Sequence, residues 1–160
     1  MQIVVQTLRR KKMITKDFLY CQYTVKNKEE LFDRLTGDLM AKNIVREGFS
    51  QALKDREAEF PTGLPVKHGV AIPHTDGSLV NSDQLLFVTL TEPIIFNEMG
   101  GDDEDTVEVN VVVMLAVKDG KKHLTVLQNL IEAIQKEGFV DQLVDATDEE
   151  QILAAVNAFL

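Results

Sequence analysis

The sequence predicts a single α/β domain, and three observations predict it. Strand-like and helix-like segments alternate along the chain, the order that builds a sheet packed with helices. The segment VEVNVVVMLAV (107–117) alternates in its first half and is apolar throughout its second, as a strand covered on both faces is. Finally, 160 residues with 44% hydrophobic composition suit one ordinary core and not two. No internal repeat, low-complexity tract or interdomain linker interrupts the pattern.

The elements follow in order. FLYCQYTV (18–25) is aromatic and β-branched enough for a strand. Asn27, with Glu30 three residues on, has the form of an N-cap and its capping-box partner. Leu31, Leu35 and Leu39 then recur every four residues, with Phe32 and Met40 widening the stripe, so 28–42 is an amphipathic helix. A second helix is expected over 46–58, with Phe49, Ala52 and Leu53 on one face and Arg56 next on that face. FPTGLP then supplies two prolines and a glycine, which end the helix in a loop. Val70-Ala71-Ile72 is a short apolar run stopped by Pro73, and LLFVTL (85–90) is a clear strand. NEMGGDDEDT, before the 107–117 strand, lacks the alternating ligands and final Glu of an EF-hand and is expected to be a solvated turn. Leu124, Leu127, Leu130, Ile131 and Ile134 mark a helix over 121–136, with Gly138 at the C-cap glycine position. Thr147 and Glu150 resemble a second capping box, opening a C-terminal helix that carries Ile152, Leu153, Val156, Phe159 and Leu160.

Composition excludes several classes of function. No apolar run approaches the roughly 20 residues of a membrane-spanning helix. MQIVVQTLRRKK puts its apolar part before its positive part, the reverse of a secretory signal, and the single cysteine, Cys21, excludes an internal disulfide. The expected location is the cytoplasm. Residues 1–16 hold Arg9, Arg10, Lys11, Lys12 and Lys16 with no acidic residue, and are set apart as a basic N-terminal extension of the 17–160 domain. Removing those five leaves 12 basic against 26 acidic side chains, a net charge of −14. Such a body repels a nucleic-acid backbone, so no nucleic acid is expected as a partner.

The three histidines, His68, His74 and His123, are where chemistry is sought. His74 leaves a short apolar strand behind a proline, which holds its imidazole at a rim. The bland alternative is a loop histidine without a role. His123 falls in the first turn of the 121–136 helix and leans toward its buried side, where free backbone N–H groups attract anions. Its alternative is a histidine that caps or packs a helix start. Arg56 occupies a core-facing stripe, costly for a guanidinium unless it meets an anion. Glu57 or Glu59 in an ordinary salt bridge would satisfy it equally well. Phosphate-binding glycine loops, H-E-x-x-H and the G-x-S-x-G elbow are absent. The histidines with Asp76 lack metal-site spacing, so metal-dependent hydrolysis is the weaker alternative.

REAEFPTGL (56–64), GVAIPHTD (69–76) and KKHLTVLQNL (121–130), in that order, resemble the enzyme IIA domains of the fructose–mannitol class of the bacterial sugar phosphotransferase system. The likeness spans about residues 17–160, and REAEFPTGL is nearer the galactitol-type branch than the nitrogen-regulatory or fructose branches. LPVKH (64–68) departs from the family, placing Lys67 and His68 where relatives are often glycine-rich; the basic extension is a second departure. The resemblance implies a mixed sheet flanked by helices on both faces. It also implies that His74 is phosphorylated by the phosphocarrier HPr and passes the group to an enzyme IIB, thence to sugar at the membrane enzyme IIC. Arg56 and His123 would line the phosphohistidine pocket. No metal or cofactor is called for, because the donor is already an activated phosphohistidine. Some relatives use the same phosphohistidine only to signal phosphotransferase flux to other proteins, which is the alternative reading.

Overall fold

The computed structural model describes residues 13–160. Among them, five strands form one mixed sheet: β1 Leu19–Tyr23, β2 Gly63–Leu64, β3 Val70–Ala71, β4 Gln84–Asn97 and β5 Thr106–Ala116. Their spatial order is β1-β4-β5-β3-β2. β1 runs parallel to β4 and β3 parallel to β5, while the β4–β5 and β2–β3 pairs are antiparallel. The helices are α1 Lys28–Ala41, α2 Phe49–Glu59, α3 Gly120–Gln135, α4 Phe139–Asp145 and α5 Glu149–Phe159.

The central strands sort their side chains by the two-residue period of a strand. Leu86, Val88, Val112 and Met114 join the core that packs Leu31, Phe32, Leu35 and Leu39 of α1 with Phe49 and Leu53 of α2. Leu85, Phe87, Val111, Val113 and Leu115 face the other way, onto Leu130 of α3, Phe139 and Leu143 of α4, and Ile152 and Val156 of α5. Both faces of the sheet are therefore covered, which is why these strands read as near-continuous apolar runs.

Local departures from the expected elements have local causes. β4 runs on past Leu90 to Asn97, and its register against β5 slips between Thr89 and Ile94. Pro93, which has no N–H for a ladder bond, sits in that slip. The second helix starts at Phe49 and not at 46, because Gly48 takes a left-handed conformation with φ +97°. Asn27 caps α1 as expected, its Oδ1 accepting the Glu30 N–H at 2.9 Å, but Met40 points outward and is 42% exposed. Gly138 is left-handed, with φ +94°, yet it opens α4, a short helix the apolar period did not single out, and does not cap the end of α3. The final cap falls one residue later than expected: Asp148 accepts the Gln151 N–H, while Gln151 Oε1 accepts the Thr147 N–H. NEMGGDDEDT forms an exposed turn between β4 and β5 from Met99 onward.

Arg9, Arg10, Lys11 and Lys12 of the basic extension lie outside the described residues. Met13, within the 1–16 extension, is buried, and its carbonyl accepts hydrogen bonds from Leu85 N and Gln84 Nε2. Among the described residues no helix is long and apolar enough to cross a membrane.

Candidate functional site

The strand β3 is only two residues long, but its line continues. Pro73 carbonyl accepts the Leu115 N–H at 3.1 Å, and His74 bridges Leu115 in parallel register. Main-chain pairing to the central strand β5 thus fixes the His74 backbone at the C-terminal end of a parallel pair, where ligands of α/β sheets commonly bind. Beyond it the chain must turn tightly. Gly77 has φ +90°, and a Cβ there would lie 2.6 Å from the Val117 carbonyl oxygen, so only glycine lets the loop pass β5. Asp76 is exposed and accepts the Ser78 N–H, a bond that lowers its carboxyl pKa and commits it to the turn.

His74 is half-buried, and its Nδ1 lies 2.7 Å from the Ile72 carbonyl oxygen. A carbonyl only accepts, so Nδ1 carries the proton and the Nε2 lone pair is left for other work. The ring meets that of His123 edge to face, centroids 4.8 Å apart and planes at 80°. Burial lowers the His74 pKa, the Ile72 carbonyl partly opposes that, and the nearby Arg56 charge lowers it further. His123 is lowered by burial first, then by His74 and Arg56. Both imidazoles are therefore biased toward their neutral forms at neutral pH.

Arg56 sits in the last turn of α2, with its guanidinium carbon 4.4 Å from the centroid of the Phe60 ring. Its Nε and the Nε2 of His123 are both buried and without a hydrogen-bond partner. Buried polar atoms are rarely left so, and each orphan calls for an explanation. The two orphaned nitrogens belong to an arginine whose charge acts on both imidazoles and to the histidine whose ring packs on His74, an arrangement that can donate to an anion.

The structure brings together His74, Arg56 and His123, which the sequence scatters over 68 positions. It also corrects the surrounding expectations. The salt bridge of Arg56 with Glu57 is not formed: Glu57 turns inward, 4% exposed, and accepts from Thr62 N and Oγ1. Burial raises the Glu57 pKa, and the Thr62 bonds offset this; together they tie the FPTG loop to α2. The N–H groups at the start of α3 are not all free, because Asp119 Oδ1 accepts those of Lys121 and Lys122. The buried stripe of α3 is Val126, Leu130, Ala133 and Ile134; His123 lies one turn before it, while Leu124 faces solvent at 57% exposure. His68 bonds Asp141 of α4 through Nε2 at 2.7 Å and stands apart from the trio. Among the described residues, no three His, Cys, Asp or Glu side chains converge on a point that would hold a metal ion. Residue-by-residue reading did not find the Ile72 carbonyl or Phe60. The signal for Phe60 was its place four residues after Arg56, one helical turn away.

A family model described as phosphoenolpyruvate-dependent sugar phosphotransferase system, EIIA 2, matches residues 12–158. The galactitol-specific EIIA component of Escherichia coli (strain K12) is 30% identical over 119 residues, covering 74% of this chain and 78% of that protein. The mannitol-specific enzyme IIA component of Staphylococcus aureus (strain MRSA252) is 31% identical over 141 residues, covering 88% of this chain and 92% of that protein. Among solved structures, enzyme IIAMTL in complex with phosphorylated enzyme IIBMTL from Escherichia coli superposes with a TM-score of 0.73 at 20% identity, over 91% of this chain and 97% of that one.

Proposed function

The chain belongs to the EIIA 2 family of the phosphoenolpyruvate-dependent sugar phosphotransferase system, and from that premise we propose that His74 is the residue that carries its phosphoryl group. The family makes the chain a phosphotransferase component, a carrier that hands phosphate to an enzyme IIB. The observation that supports His74 is the pair of orphaned buried nitrogens beside it, Arg56 Nε and His123 Nε2. A phosphoryl group on His74 Nε2 gives both a partner.

In the proposed reaction the donor is phospho-HPr. The Nε2 lone pair of neutral His74 attacks phosphorus as the donor's P–N bond breaks, and that bond's electron pair returns to the donor nitrogen. Because Nδ1 keeps its proton, the phosphorylated ring becomes cationic, and the Ile72 carbonyl at 2.7 Å stabilises that charge. A cationic ring is also a good leaving group, so the same contact keeps the P–N bond labile for the second transfer. The Arg56 guanidinium and the Nε2–H tautomer of His123 donate to the equatorial oxygens, where charge spreads in the transition state. Each donor of this kind is worth on the order of 3 kcal/mol.

The acceptor in this reading is a galactitol-like enzyme IIB, with the membrane enzyme IIC reached only through it and the chain working in the cytoplasm. REAEFPTGL and the galactitol-specific relative both point that way. The sugar-specific names of the relatives favour uptake over pure signalling. A purified mixture of HPr, this chain and a galactitol-type enzyme IIB tests it. Phosphate should pass to that IIB faster than to a mannitol-type IIB; the reverse order would place the chain in the other branch, and transfer to neither would favour the regulatory alternative.

A further inference from the structure

Phe60 is a large apolar side chain left 51% exposed, directly after α2. Its backbone is not loose: the Phe60 N–H donates to the Arg56 carbonyl at 2.7 Å, and Pro61 stiffens the chain beyond. The ring is thereby held one helical turn from Arg56, with the guanidinium carbon 4.4 Å from its centroid. The guanidinium lies over the ring, and about half of the residue is open to solvent. Among the described residues no carboxylate lies within ion-pair distance of Arg56, although its charge reaches the exposed Asp76, and the Phe60 ring lies against its charged head.

We infer that Phe60 is a positioning residue for Arg56, a flat platform that fixes the plane of the guanidinium before the phosphoryl group arrives. The inference rests on the reading of Arg56 as a phosphoryl-binding group. An arginine side chain is rich in rotamers, and whatever freedom it retains must be lost when it grips phosphate. A guanidinium stacked on an aromatic face has already lost part of that freedom. A carboxylate would fix it too, but would neutralise the charge the phosphoryl oxygens need. The aromatic face restrains the group and leaves its edge N–H donors and its charge available.

The test uses the full chain and phospho-HPr, with Phe60→Leu, Phe60→Tyr, Arg56→Ala and the Arg56→Ala/Phe60→Leu pair. Leucine keeps apolar bulk and loses the π face; tyrosine keeps both. A stacked cation at an exposed site is worth roughly two- to fivefold. Phe60→Leu should therefore lower the single-turnover rate at saturating phospho-HPr by about that factor with unchanged KM, and Phe60→Tyr should keep the wild-type rate. In the Arg56→Ala background, Phe60→Leu should add no further loss. A loss that persists in that background, or one confined to KM, would overturn the platform role and assign Phe60 to partner docking. A second readout needs no transfer at all. The Arg56 Nε–H proton of the unphosphorylated protein should show an upfield ring-current shift that disappears in Phe60→Leu; an unshifted resonance in the wild type overturns the inference. Wild-type protein that accepts no phosphate would fail the underlying reading instead, and the Arg56 resonance would then decide the placement of Phe60 by itself.

Discussion

Replacing His123 with phenylalanine separates a functional role from a structural one, because the two predict opposite signs. The ring packs edge to face on His74 at 4.8 Å and leaves Nε2 buried without a partner. An unsatisfied buried polar atom costs about 1–3 kcal/mol. Phenylalanine keeps an aromatic edge, removes the orphan and adds apolar surface to the buried side. Part of the gain is lost to crowding, so a net stabilisation of about 1 kcal/mol is expected, or ~2–4 °C in Tm for a chain of this size. Transfer behaves oppositely. Losing one donor to the transition-state oxygens costs on the order of 3 kcal/mol, so phosphoryl acceptance should slow by roughly a hundredfold. Thermal denaturation and rapid-quench transfer from phospho-HPr measure the two quantities on one preparation. A variant that transfers at the wild-type rate would refute the donor role. Stability and rate falling together would show that His123 merely packs.

Four further outcomes follow from the same geometry. Because burial lowers both imidazole pKa values, the neutral nucleophile persists below the ordinary histidine value of about 6.5, and acceptance should stay flat down to that pH and fall only below it. In that acid range the unfolded chain binds protons more readily than the folded one. Stability should thus be fully present above about 6.5 and be lost as pH falls through the lowered folded values, more steeply in the wild type than in His123→Phe; parallel denaturation midpoints across pH would contradict this. Gly77→Ala forces a Cβ against the Val117 and Lys118 carbonyls at positive φ and should destabilise by at least about 1–3 kcal/mol, read by urea denaturation; an unchanged midpoint would mean the loop after His74 yields freely. His68→Asn suits the left-handed backbone, φ +71°, and breaks only the link to Asp141, so transfer should stay at the wild-type rate; a tenfold loss would bring His68 into the site.

Much of this architecture could be read from the chain because strong local signals agreed with the tertiary outcome. Asn27, the leucine stripe of α1 and the two-faced apolar run of β5 each satisfy the same layout. What was not readable depended on contacts distant in sequence. Leu124 looked like a core residue by count, yet α3 is rotated so that Val126 and Ala133 take its place against the sheet. Gly138 was recognisable as a left-handed position, but whether it closes one helix or opens the next depends on α4 docking Phe139 and Leu143 into the core. At the candidate site, His74, Arg56 and His123 could be singled out from the sequence, and the structure brings them together. Their electrostatics could not be read from the sequence: the proton on Nδ1 follows from a carbonyl two residues back, and Glu57 directs its charge to Thr62 instead of Arg56.

The central claim is that the phosphoryl group travels on His74, and mapping the labelled residue tests it most directly. Incubation with phospho-HPr, followed by mass spectrometry under conditions that preserve phosphohistidine, should place one acid-labile phosphate on His74. In His74→Ala that label should vanish while the fold, followed by circular dichroism, stays intact. Acid-labile phosphate retained by His74→Ala, or mapped in the wild type to His68 or His123, would contradict it.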